Sequence, residues 1–246
     1  MDERKKEKIK ACGAFAVVTL IILIIGIFIC IYQIEGETNM PFVLSSIYVV
    51  STAEGAENKN SEEKWNLNIY QNNDIYINIQ KNEEYEKQET IQSVQIDNIQ
   101  IIKNPVKGKI NTYMPNSSEG RLFTFSEESK LEKNSLTYKG GSKTDTTKLE
   151  IGNQGGTIVI RFSNDALGSY ISNEDEEIKH DGTMLGKINV SNEDIKFTIL
   201  FDLIIRVNNI SYKTTVELEL PTGNILENGT ESLEITDTQK YIFKRI

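Results

Sequence analysis

The hydrophobic positions of this chain fall into two regimes. Residues 11–32, ACGAFAVVTLIILIIGIFICIY, are an apolar run without one charged side chain. After it, apolar residues stop running together and alternate with polar ones. The run makes a helix of roughly 33 Å at about 1.5 Å per residue, enough to cross a bilayer core of about 30 Å. A buried helix of a soluble domain would carry a polar stripe, and this run has none.

The clearest alternation is FTILFDLIIRVNNISYKTTVELEL, 197–220. A two-residue turn at Asn208-Asn209, where asparagine tolerates positive φ, sets Val207 opposite Ile210, Ile205 opposite Tyr212, Phe201 opposite Val216 and Phe197 opposite Leu220. One face of that hairpin is then apolar almost throughout, while Asp202 meets Thr215 and Arg206 meets Ser211 on the other. A slip of one residue would turn the apolar set outward, so the register is specified.

A second hairpin is expected in KWNLNIYQNNDIYINIQK, 64–81, with a three-residue turn at Asn72 to Asp74. That turn opposes Ile69 to Ile77 and Tyr70 to Tyr76, and leaves Trp65 in the core. Further short strands are expected at 42–51, 91–102, 108–114, 121–125, 136–139, 147–151, 157–163, 187–190 and 241–246. Turn-rich pieces such as GNQGG at 152–156 separate them. Past residue 32 no helical period is sustained, with at most a turn or two near 165–169. The fold class is therefore mainly β: an N-terminal transmembrane helix, then an antiparallel β-sandwich-like domain.

Charge orients the helix. Arg4, Lys5, Lys6, Lys8 and Lys10 precede the run, and Glu35 and Glu37 follow it, with no cation until Lys59. By the positive-inside rule the N-terminus stays in the cytoplasm and the C-terminal part lies outside the plasma membrane. The expected organisation is a basic tail at 1–10, a signal-anchor helix at 11–34, a short linker at 35–40 and an extracytoplasmic β-rich domain at 41–246. The apolar core is too long for a cleaved secretory signal. A pilin-type signal would start at Gly13, but the fifth residue of its mature chain would be Val18, where pilins carry Glu.

The formal net charge is -9, and the first 34 residues carry five cations and three acids, which leaves about -11 beyond them. An acidic body without a basic stripe excludes bulk nucleic-acid binding. Both cysteines, Cys12 and Cys30, lie in the apolar run, so no disulfide and no thiolate zinc site can form after it.

The one histidine, His180, sits in SNEDEEIKHDGTMLG, 172–186. A Ser–His–Asp relay needs a third group in reach, and neighbouring Asp181 points away from His180 in an extended chain. Calcium is the sharper expectation, with Asp175, Glu177 and Asp181 as hard oxygen donors and Gly182 as the turn. Their spacing matches no standard calcium loop, so the favoured reading is an exposed connection. ELPTGN at 219–224 lacks one residue of a Leu-Pro-x-Thr-Gly sorting signal and reads as a strand end. The Asn-x-Ser/Thr triplets at Asn116, Asn189, Asn209 and Asn228 are read as incidental.

In style and topology the chain is similar to the membrane-anchored proteins of AT-rich Gram-positive bacteria, a resemblance that carries no motif. The function expected by subtraction is a non-catalytic binding or assembly module of the cell envelope. Its partners would be the lipid bilayer, through 11–34, and an envelope protein or polymer. An envelope hydrolase using a carboxylate pair and a pilin-like filament subunit are the alternatives.

Overall fold

The computed structural model describes residues 3–58, 62–116, 121–124, 126–175, 177–179 and 183–246. It opens with helix α1 (Glu3–Glu35), long and apolar enough over Cys12–Glu35 to cross a membrane. Strands follow as β1 (Phe42–Glu57), β2 (Trp65–Lys81), β3 (Ile91–Lys103), β4 (Ile110–Tyr113), β5 (Leu136–Gly141), β6 (Glu150–Gly152) and β7 (Gly155–Ser172). Two short helices, α2 (Thr183–Lys187) and α3 (Asn192–Ile195), lead to β8 (Phe197–Val207) and β9 (Ile210–Leu220). Helix α4 (Ile225–Asn228), β10 (Thr230–Ile235) and β11 (Lys244–Arg245) complete the chain.

The strands form two sheets. Sheet A runs β10-β1-β2-β7-β4 and sheet B runs β11-β9-β8-β3-β5-β6. All pairings are antiparallel except β5 with β6. Apolar side chains from both sheets share one core, among them Ile47, Ile75, Ile77 and Phe162 from sheet A and Ile96, Tyr138, Phe201 and Leu203 from sheet B. Burying each Ile or Phe contributes about 1.5–3 kcal/mol.

The β8–β9 hairpin has the register that its alternation predicts, from Phe197 opposite Leu220 to Val207 opposite Ile210. Asn208 and Asn209 take φ of 47° and 64° in the turn.

The second expected hairpin is overturned. Trp65–Lys81 is one continuous strand between β1 and β7, and Asn72 to Asp74 pair on both sides. Asparagines there are tolerated because their amides find partners. Ser51 Oγ donates to Asn73 Oδ1 at 2.7 Å, and Asn73 Nδ2 donates to the Phe162 carbonyl at 3.2 Å. Trp65 is half-buried at the strand's start rather than in the core.

Strand length explains the rest of the architecture. At about 3.3 Å per residue the 17-residue β2 spans roughly 56 Å, whereas the 11-residue β8 spans roughly 36 Å. Sheet A therefore overhangs sheet B. A second apolar cluster covers the overhang, in which Leu67, Ile69 and Leu167 of sheet A meet Met184 and Leu185 of α2, Ile195 of α3 and Ile225 of α4. The strand expected at 187–190 is thus the end of α2 and a turn, with Asn189 at φ 52°. Residues 165–169 extend within β7 instead of turning, and the described residues of 121–125 make no strand. Strand β10 was not expected, since TESLEI offers few apolar positions and none of its residues is buried.

Tyr138 closes a gap in sheet A. Beyond the end of β4, the backbone of Val159 on β7 has no strand on its free side among the described residues. The buried Tyr138 hydroxyl fills the place, donating to Val159 O at 2.5 Å and accepting from Val159 N at 3.3 Å. Tyr138→Phe keeps the ring but orphans both backbone groups. It is expected to destabilise by about 1–3 kcal/mol, read as a lower urea midpoint with an unchanged slope.

Candidate functional site

The loop singled out by sequence lies partly outside the described residues. Asp175 and Glu177 are exposed, whereas Glu176, His180, Asp181 and Gly182 lie outside the described residues. The Asp175 side chain is 99% exposed and ion-paired with Lys64 Nζ, and Asn173 Oδ1 accepts from Lys64 N at 3.0 Å. Together these contacts tie the loop to the start of β2. Among the described residues no group of three His, Cys, Asp or Glu is placed to hold a metal ion.

The richer chemistry lies on the face of sheet A turned away from the main core. Even-numbered residues of β2 point there: Tyr70, Asn72, Asp74 and Tyr76. Register supplies their neighbours, with Glu54 beside Tyr70, Thr52 beside Asn72, Tyr48 beside Tyr76 and Arg161 beside Asp74. Glu54 accepts from Thr52 Oγ1 at 3.0 Å, Asn72 Nδ2 at 2.9 Å and the Tyr70 hydroxyl at 3.1 Å. Arg161 grips Asp74 through Nε at 2.6 Å and Nη2 at 2.8 Å, and its guanidinium lies 4.4 Å from the Phe123 ring centre. Bidentate pairing of this kind fixes both side chains.

A bulge completes the group. Between Asn164 and Gly168, β7 carries extra residues opposite Tyr70, and bulges of this type re-aim side chains. Asp165 lies in it, and its Oδ2 accepts from Tyr113 OH at 2.6 Å and Asn111 Nδ2 at 2.7 Å. The other oxygen, Oδ1, is buried with no hydrogen-bond partner among the described residues. Ala56, Tyr70, Tyr113 and Asp165 line a pocket of about 250 Å³. Aromatic rings beside a carboxylate with spare acceptor capacity suit a ligand carrying hydroxyl or ammonium donors.

Burial, and then the Glu54 carboxylate, raise Tyr70 above the ordinary phenol range. Burial and the bond to Asp165 do the same for Tyr113, and burial does so for Tyr138. A raised folded pKa gives stability that is complete below the unfolded phenol value of about 10 and is lost as pH rises towards the folded value. The urea midpoint should therefore hold up to about pH 10 and fall above it. Tyr113→Phe should flatten part of that fall.

None of these residues stood out in the sequence. Glu54 fell between the strand expected at 42–51 and the hairpin expected at 64–81, and Tyr70 and Asp74 fell around the expected hairpin turn. The available signal was parity: the apolar residues at 65, 67 and 69 and those at 75, 77 and 79 keep one phase across the polar stretch 71–74. No family model, no curated protein and no solved structure matches the chain.

Proposed function

We propose that this chain is a single-pass membrane protein, N-terminus in the cytoplasm, whose β-sandwich body outside the membrane is a non-catalytic binding or assembly module of the cell envelope. The helix is what carries the reading. No residue of its best span is buried by the rest of the chain, with Phe15 76% and Phe28 67% exposed. So much exposed apolar surface needs a cover of its own, and lipid is the cover that its length fits. The flanking charges give the orientation. The pocket beside Asp165 is the binding surface, because it offers acceptors and aromatic faces on a rigid sheet.

Photocross-linking from Tyr48 or Ala56 in intact cells tests this reading. A discrete envelope partner should be captured, and Asp165→Asn or Tyr70→Ala should weaken capture. Cross-links confined to cytosolic proteins would contradict it.

One observation favours an envelope hydrolase as the second reading. Glu54 and Asp165 flank Tyr70 from the two strands beside β2, whose backbones lie about 10 Å apart at two strand spacings. That approaches the separation inverting glycosidases use. Release of reducing ends from purified wall polymer, abolished by Asp165→Asn, would select this reading over the first.

A further inference from the structure

The helix is joined to the body by a fixed contact. α1 ends at Glu35 and is capped by Gly36, whose φ of 72° lets its N–H donate to the Tyr32 carbonyl at 2.9 Å. The chain then runs along β11: Glu37 N donates to Phe243 O at 2.7 Å, and Arg245 pairs with Glu37 at 3.1 Å. From the other side, Arg245 N donates to the Tyr32 hydroxyl at 2.8 Å and Lys244 Nζ to Gln33 Oε1 at 2.5 Å. A Cβ on Gly36 would fall 2.3 Å from Phe243 O, so the close approach requires glycine. Met40 and Phe42 are buried only a few residues further on.

This joint leaves a groove of about 540 Å³ between the helix end and the edge of sheet B. Tyr32, Gln33, Lys213, Thr214, Thr215, Lys244 and Arg245 stand in its wall. Three cations meet here on a body whose overall charge is strongly negative. Lys213 is held by Asp202 at 3.3 Å and Arg245 by Glu37, while Lys244 bonds the neutral Gln33 amide. Ile242 and Ile246 are exposed beside them.

We infer that this groove seats the phosphate of an anionic phospholipid from the leaflet around the helix, and so fixes the tilt of the body on the membrane. The inference rests on the membrane reading above. Depth selects lipid over a free anion, because one wall is Tyr32 and Gln33, where the apolar run gives out and the headgroups of a spanned bilayer lie. Lysine and arginine near a membrane surface attract anionic headgroups. Exposed isoleucines at the same level suit the acyl boundary.

The test is full-length protein in phosphatidylglycerol or phosphatidylcholine nanodiscs, read by native mass spectrometry for retained lipid and by hydrogen exchange over residues 211–215 and 242–246. Phosphatidylglycerol should be retained several-fold more than phosphatidylcholine, with slower exchange in both segments. Lys213→Gln/Lys244→Gln/Arg245→Gln should lose that difference, and Lys213→Arg/Lys244→Arg should keep it. Equal retention of the two lipids by inserted wild-type protein would overturn the inference alone. So would inorganic phosphate in detergent giving the same protection. Failure of the chain to insert into nanodiscs would overturn the membrane reading as well.

Discussion

Asp74→Ala is expected to destabilise the body by about 3 kcal/mol. Asp74 and Arg161 are 15% and 14% exposed, so water replaces little of what the substitution removes. The guanidinium would stay between β2 and the Phe123 ring without its bidentate carboxylate. Burial opposes the Arg161 charge, and the bonds to Asp74 together with the charges of Asp74 and Glu54 more than offset it, holding its pKa above the usual arginine value. The cost therefore belongs to a buried charge that has lost its bidentate carboxylate, and it should shrink when the charge goes too. Asp74→Ala combined with Arg161→Leu is expected to lose less stability than the two single changes added together. Urea unfolding of the full chain in detergent reads both numbers. Strict additivity would mean that the pair does not act as a unit.

Phe201→Ala should cost more, about 3–5 kcal/mol. Phe201 is fully buried in β8, opposite Val216, in the core shared by both sheets. The truncated ring leaves a cavity that neighbours on two hydrogen-bonded sheets cannot collapse to fill. Leu200 is only half-buried on the opposite face, and Leu200→Ala should cost well under half as much. The pair of variants, compared by urea midpoint, tests the face assignment of β8 directly.

That assignment was legible because it is written locally. Eleven alternating residues, a two-residue asparagine turn and eleven more leave one register that keeps Phe197, Phe201 and Ile205 on one side. β2 was not legible for the converse reason. Asn72, Asn73 and Asp74 have turn composition, and they are strand residues only because Glu54, Ser51, Phe162 and Arg161, from other strands, partner their side chains. Tertiary context overrode propensity there. The short helices were hidden for a third reason. α3 is four residues fixed by a capping box, in which Ser191 accepts from Asp194 N and Asp194 returns the bond to Ser191 N, and so short a segment has no period to detect.

The candidate site shares the fate of β2. Glu54 and Asp165 lie far apart in sequence, and they flank Tyr70 only through strand pairing and a bulge. The acidic loop at 172–186 drew attention because its charges are contiguous, which is a feature of composition and carries no geometry. The apolar helix needed no such context, since its length and the charges around it are properties of one segment.

Cysteine labelling tests the central claim most directly. The body has no cysteine of its own, so in a Cys12→Ser/Cys30→Ser background one probe can be placed at Thr236→Cys and another at Lys6→Cys. A membrane-impermeant maleimide applied to intact cells should label the first and spare the second until the membrane is opened. Labelling of Lys6→Cys in intact cells, or of Thr236→Cys only after lysis, would contradict an anchored chain with its β body outside.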